Sequence, residues 1–168
     1  LARKEGIAEE ILIGDRGQTQ KLLESEGMLY RVAASLLPGE ADRMDAMQET
    51  ALKAWQNRQT LREEAHFSAW ITRILMNECR NVYRRQKRLV LMDAVPETSV
   101  QERDPQLRQM LEALPRRHRE VLVLFYLEGF SIQEIAGILH IPQGTVKYRL
   151  HAARKAMKVE LSGEEAGQ

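Results

Sequence analysis

The chain has 168 residues, 43% of them hydrophobic and 29% charged, with a formal net charge of +1. That length suits one medium domain or two small ones, no apolar run approaches the ~20 residues of a membrane-spanning helix, and the N-terminus lacks a secretion-type apolar core. The lone Cys79 excludes an internal disulfide framework and suits a reducing cytoplasm.

Aromatics are scarce, and Ala, Leu, Glu, Arg, Lys and Gln dominate. That composition predicts an all-α fold. Residues 2–13 read as an amphipathic helix with Ile7, Ile11 and Leu12 on one side, closed by Gly14-Asp15. A second helix is predicted over 16–37. Its core positions are Leu22, Leu23, Leu29, Val32, Ala33, Leu36 and Leu37, and Pro38-Gly39 breaks it.

In 41–57 Met44, Met47, Ala51 and Trp55 recur at helical spacing, which predicts a buried stripe. Asp45, Gln48, Glu49 and Leu52 then share the outward side. A leucine within an acid-and-amide patch fits a protein partner, or an ordinary surface with one exposed leucine. A polar loop follows over 57–66.

The next helix is predicted over 67–88, with Phe67, Ile71, Ile74, Leu75, Cys79 and Val82 buried. Trp70, Arg73, Asn77, Arg80, Asn81, Arg84 and Arg85 remain for other work. Aromatic and guanidinium faces stack on unpaired bases, amides read base edges, and cations follow phosphates. The plainer alternative puts Trp70 in the core and makes 84–88 a solubilising helix end.

Residues 89–104 contain Pro96, four acids and one Arg, and no sustained period, so they read as a linker. Asp104-Pro105 is a natural helix start, and Leu107, Met110, Leu111 and Leu114 pattern a short helix. Pro115 opens another over 116–127, with Val121, Leu122, Leu124, Phe125 and Leu127 expected in the core. Residues 105–158 carry nine Lys/Arg against four acids, and Arg80, Arg84, Arg85, Lys87 and Arg88 form a second basic cluster. Two such clusters flanking an acidic connector predict polyanion contact at two places.

The most specific stretch is 131–158, two helices with a tight turn between them. Ser131 and Glu134 spell a capping box, and Ile135, Ile138 and Leu139 supply an apolar stripe. Pro142 and Gly144 mark the break over 140–144, and Thr145 caps or opens the second helix. There Val146, Leu150, Ala153 and Met157 make one apolar face. Lys147, Tyr148, His151 and Lys155 point away from it, with Arg149 and Arg154 on the flanks. Such a helix docks by its apolar side while offering cations and hydrogen-bonding groups to a major groove. This is the helix-turn-helix arrangement; an ordinary helical hairpin with a solvated basic face is the plain alternative. The tail, 162–168, is small, polar and expected to fray.

An enzyme is not expected. His66, His118, His140 and His151 are scattered without ligand spacing, so neither a metal nor another cofactor is predicted, and glycine-rich nucleotide loops are absent.

These stretches together resemble an extracytoplasmic-function sigma factor of the sigma-70 family. LPRRHREVLVLFYLEGFSIQEIAGILHIPQGTVKYRLHAARKAM is similar to region 4. IGDRG resembles the family's opening turn, DRMDAMQETALKAW the region 2 helix that docks on core RNA polymerase, and FSAWITRILMNECRNVYRRQKR the helix that melts and holds the −10 element. The resemblance implies two small helical domains, region 2 over 1–88 and region 4 over 105–161, joined by a linker over 89–104.

It also implies partners: core RNA polymerase, through the largest-subunit coiled coil and the β flap, promoter DNA, and an anti-sigma factor. The protein itself would be cytoplasmic, without membrane insertion. Carried over position by position, Asp45, Gln48, Glu49 and Leu52 would bind core polymerase. Asn57, Arg58, Leu61, Arg62, Trp70, Arg73, Asn77, Arg80, Arg84 and Arg85 would hold the opened −10 strand. Thr145, Lys147, Tyr148, Arg149, His151, Ala152, Arg154 and Lys155 would meet the −35 duplex. The chain departs from the family at Ala46, Ala51, Asn81, Tyr148 and Ala152 and at 18–20, which bears on region 2 packing and on the −35 bases preferred. A stand-alone helix-turn-helix regulator and a helical interaction protein without a DNA role are the competing classes. The first would bind duplex DNA without core, and the second would show no salt-dependent binding.

Overall fold

A computed structural model describes residues 16–90 and 105–165, and side chains within 17–89 and 105–158. The helix read over 2–13 lies outside the described residues. The described residues contain helices and turns and no strand. They fall into two compact units, one within Leu1–Glu97 and the other within Thr98–Gln168.

The first unit is built from α1 (Arg16–Leu36), α2 (Glu40–Gln56) and α3 (Phe67–Val90). Pro38 stops α1. The next helix starts without a side-chain cap, from Gly39, and Glu40 and Asp42 in its first turn complement the helix dipole. Leu29, Val32, Ala33, Leu36 and Leu37 of the first segment pack with Ala46 and Ala54 of α2 and with Ile71, Leu75, Met76, Cys79 and Val82 of α3.

The reading of α1 errs at its N-terminal end. Leu23 is exposed, Leu22 half-buried, and Thr19 occupies the buried position there instead. Ile74 is half-buried, whereas Met76 is fully buried.

The register of α2 is a larger correction. Its buried residues are Arg43, Ala46, Thr50 and Ala54, not Met44, Met47, Ala51 and Trp55, which are half-buried. The stripe is rotated by one residue because Arg43 has carbonyls to satisfy. Its Nε donates to the Leu37 carbonyl at 2.7 Å, and Nη2 reaches those of Pro38 and Ala34 at 3.3 and 3.4 Å. These are the orphan acceptors left where α1 ends. Thr50 reaches burial by donating back to the Ala46 carbonyl at 2.7 Å. Buried Glu78 of α3 is paired with Lys53 and accepts from Asn81 Nδ2 at 3.4 Å, so its charge is compensated.

The second unit comprises α4 (Pro105–Ala113), α5 (Arg116–Leu122), a π turn (Val123–Leu127), α6 (Ile132–Leu139) and α7 (Gln143–Glu165). Leu111, Leu114 and Ala153 form one core cluster, and Val121, Val123, Leu124, Phe130, Ile135, Ile138, Leu139, Val146 and Leu150 are also buried. The sequence placed 116–127 in one regular helix with Leu127 in its core. The π turn carries one residue more than an α turn. Val123 therefore goes inward, and Tyr126 and Leu127 emerge, 52% and 50% exposed. Leu107 at the start of α4 is exposed as well. The last helix runs to Glu165, past the point where a frayed tail was expected, and α3 runs to Val90.

Candidate nucleic-acid interface

The helix-turn-helix is assembled from local interactions. Ser131 is the N-cap of α6. Its backbone N–H donates to Glu134 Oε2 at 2.8 Å, and the Glu134 N–H donates to Ser131 Oγ at 3.1 Å, a complete capping box. Gly129 at φ +72 makes the bend that leads in. The turn after α6 hinges on His140, which holds left-handed backbone at φ 55 and ψ 47. Gly144, credited with that freedom from the sequence, is inside α7 and has no positive φ. Thr145 is not the cap either. The helix opens at Gln143, and the Thr145 and Val146 N–H groups both donate to the Pro142 carbonyl.

Along α7 the division of faces is as the periodicity predicts. Val146, Leu150 and Ala153 are buried and Met157 half-buried. Lys147, Tyr148, His151 and Lys155 are exposed, Tyr148 at 69%. Thr145 and Ala152 lie half-buried between the two faces. The flanking arginines differ. Arg154 turns to the protein: Nε donates to the Leu150 carbonyl at 3.3 Å and Nη1 to the Tyr126 hydroxyl at 3.1 Å. It borders an apolar groove lined also by Leu107, Leu111, Leu122, Leu127 and Met157. Arg149 lies on the other flank. Together with burial and Arg117 it holds the His118 imidazole below its usual pKa of 6.5, burial being the largest cause. The sequence reading weighed His118 only as a histidine without ligand spacing and did not single out Arg117, since no local pattern shows that Arg149 acts on that imidazole.

In the first unit the loop between α2 and α3 is two short 3-10 turns, Arg58–Thr60 and Glu64–His66. Arg58 packs over the Trp55 ring, 4.2 Å from its centroid, and donates to the Trp55 carbonyl at 2.9 Å. Asn57 Nδ2 is turned back onto the Lys53 carbonyl. The Trp70 indole N–H donates to Thr60 Oγ1 at 3.0 Å, tying the loop to α3. Trp70 is thus half-buried, between the two positions weighed for it. Trp55, Phe67 and Trp70 line an open cleft with Thr19, Leu22 and Ala51. Leu61 is half-buried and Arg62 exposed.

Further along α3, Arg73, Asn77, Arg84 and Arg85 are exposed and Arg80 is half-buried. Arg73, Asn77, Arg80 and Arg84 lie on the side opposite Leu75, Cys79 and Val82, and Arg85 lies on a flank. On α2, Asp45, Glu49 and Leu52 are exposed, Leu52 at 48%, and Gln48 is half-buried. Among the described residues no group of His, Cys, Asp and Glu could hold a metal ion, and no helix is long and apolar enough to cross a membrane.

The family model for sigma-70 region 2 matches residues 22–89, and that for sigma-70 region 4 matches residues 105–157. The RNA polymerase sigma factor SigV of Bacillus subtilis is 30% identical over 142 residues, 81% of this chain and 86% of that protein. The ECF RNA polymerase sigma factor EcfG of Rhodopseudomonas palustris is 32% identical over 141 residues, 78% of each chain. Among solved structures, the sigma factor RpoE of Bartonella quintana, in complex with the anti-sigma factor NepR, superposes with a TM-score of 0.79 at 28% identity, covering 88% of this chain and 98% of that one. CnrH, in complex with the cytosolic domain of CnrY, does so with a TM-score of 0.71 at 28% identity, covering 94% and 96%. The chain belongs to the extracytoplasmic-function sigma factors of the sigma-70 family.

Proposed function

We propose that this chain is a promoter-specificity subunit of RNA polymerase: it binds core, directs it to particular promoters, and starts transcription without catalysing a reaction. The observation that carries this reading is the division of α7, with Val146, Leu150 and Ala153 sealed in the core and Lys147, Tyr148, His151 and Lys155 left to solvent. Such a helix enters a major groove with its fold undisturbed. Phosphate contacts set its position, and groove contacts read the −35 sequence. Thr145, Arg149, Ala152 and Arg154 complete the −35 set, Arg154 after release from Tyr126.

In region 2, over 1–88, the exposed Arg73, Asn77, Arg84 and Arg85, with Arg80, track the opened −10 strand. The loop carrying Asn57, Arg58, Leu61 and Arg62, braced by Trp70, receives an extruded base. Extrusion costs a few kcal/mol of stacking, which these contacts offset. Asp45, Gln48, Glu49 and Leu52 dock on the largest core subunit. The groove beside Tyr126 offers region 4, over 105–161, an apolar seat for the β flap, and the linker, read from the sequence as 89–104, follows the end of α3 at Val90. An anti-sigma factor holds the protein in check. Its place of work is the cytoplasm, with the polymerase. Run-off transcription with purified core and a library of genomic promoters tests this directly. Specific start sites that require the chain support it, and a chain that redirects core to none refutes it.

A further inference from the structure

Tyr148 is the most exposed large hydrophobic residue among those described, at 69%. It stands on the face of α7 that carries Lys147, His151 and Lys155, and its side chain makes no hydrogen bond or ring contact with any described residue. The neighbours placed to cover its ring are small. A helical side chain leans over the preceding turn, and residues four apart share a face. Four residues before Tyr148 is Gly144, where an added Cβ would meet no atom within 4 Å. Four residues after it is Ala152, half-buried and with a single methyl group for a side chain. The ring therefore stands open on both sides along the helix, an apolar surface set among cations.

Leaving such a ring in water forgoes the burial free energy of an aromatic side chain, which is recovered only against an apolar surface. Lys147, His151 and Lys155 already supply charge and hydrogen-bonding groups on this face. In a major groove the base edges present donors, acceptors and one apolar group, the C5 methyl of thymine. We propose that Tyr148 is a specificity-determining residue, which reads the C5 methyl of a thymine in the −35 element by packing its ring against it. This rests on the reading of α7 as the groove-entering helix, and it names the base feature that the helix selects. The phenolic hydroxyl takes no part in that contact, which separates it from a hydrogen bond to a base or a phosphate.

The test uses holoenzyme reconstituted from the full chain and core RNA polymerase, with a promoter duplex that the wild type binds. Each thymine of the −35 element, on either strand, is replaced in turn by deoxyuridine. That change removes the methyl group and leaves base pairing and every hydrogen-bonding group in place. Wild type should lose about fourfold in Kd at one of these positions, the weight of one buried methyl-sized group. Tyr148→Ala should bind the thymine and deoxyuridine duplexes alike, with an unchanged helical circular dichroism spectrum. Tyr148→Phe should keep the wild-type ratio.

A wild-type holoenzyme that binds the −35 duplex sequence-specifically yet is indifferent to every deoxyuridine overturns the proposal. So does a folded Tyr148→Ala variant that keeps the wild-type ratio, since the methyl contact would then belong to another side chain. Loss of the ratio in Tyr148→Phe overturns it as well, by assigning the reading to the hydroxyl. A holoenzyme whose affinity is independent of the −35 sequence would instead remove the groove-entering role of α7.

Discussion

Arg43 of α2 reaches back to the Leu37 carbonyl, 2.7 Å from Nε, and closes the end of α1 from inside the core. Its side chain is 1% exposed, and Nη1 lies 3.7 Å from the Glu40 carboxylate. The residue joins two helices through the carbonyls of Ala34, Leu37 and Pro38. Replacing Arg43 with Ala should therefore cost about 2–4 kcal/mol, because buried acceptors lose their donors and a cavity opens. Lys should rescue only part, since it lacks the planar fork. Both tryptophans of the chain, Trp55 and Trp70, lie in this unit. Urea unfolding followed by their fluorescence reports it selectively, and an unshifted midpoint in Arg43→Ala would contradict the capping role.

Lys147→Ala and His151→Ala should each weaken binding of holoenzyme to −35 duplexes. A lost base contact should cost about 1–3 kcal/mol and relax preference at one position. A lost phosphate contact should weaken all sequences alike and lower the salt slope by about one. Measuring Kd against salt concentration and against a set of single-base variants separates the two.

Charge reversal of Asp45 and Glu49 to Lys should lower affinity for core polymerase while leaving the helical spectrum and the urea midpoint intact, since both side chains point to solvent. Co-purification with core, or titration of labelled core, checks this. A folded double variant that binds core normally would show that this face of α2 is not the docking surface.

His140→Gly should stabilise the second unit by about 1 kcal/mol, because glycine adopts left-handed backbone without the steric cost of a side chain. Ser131→Ala should destabilise it by about the same amount through loss of the cap. Thermal unfolding by circular dichroism reads both. Equal shifts in the same direction would mean that the two ends of α6 are not held as described.

What the sequence disclosed followed the range of the interactions. The capping box of Ser131 and Glu134 spans three residues, and the stripe Val146, Leu150, Ala153 is a single-helix period; both are legible as written. The buried face of α2 was misread by one step. Arg43 owes its burial to carbonyls of the preceding helix, and a hydrophobic count assigns an arginine to solvent. Leu127 was misplaced because no local signal in 116–127 announces the π turn. The candidate −35 and −10 residues were named from a family likeness laid over an amphipathic pattern. That Arg149 acts on the His118 imidazole depends on two helices packing together, which no spacing rule reports. Arg154 was placed on a flank by helical angle and among the −35 residues by the family likeness, and the Tyr126 hydroxyl that engages it comes from another element.

The π turn at Val123–Leu127 works as an angular offset built into the backbone. Removing one residue there would restore ordinary winding, and everything downstream would arrive rotated by about 100°. Lys147 and His151 would then be aimed along a different bearing while their own helix stayed perfectly formed. A deletion that spares every candidate contact residue should thus cost the protein its promoter, and length at that one bend belongs to the proposed reading head as much as its side chains do.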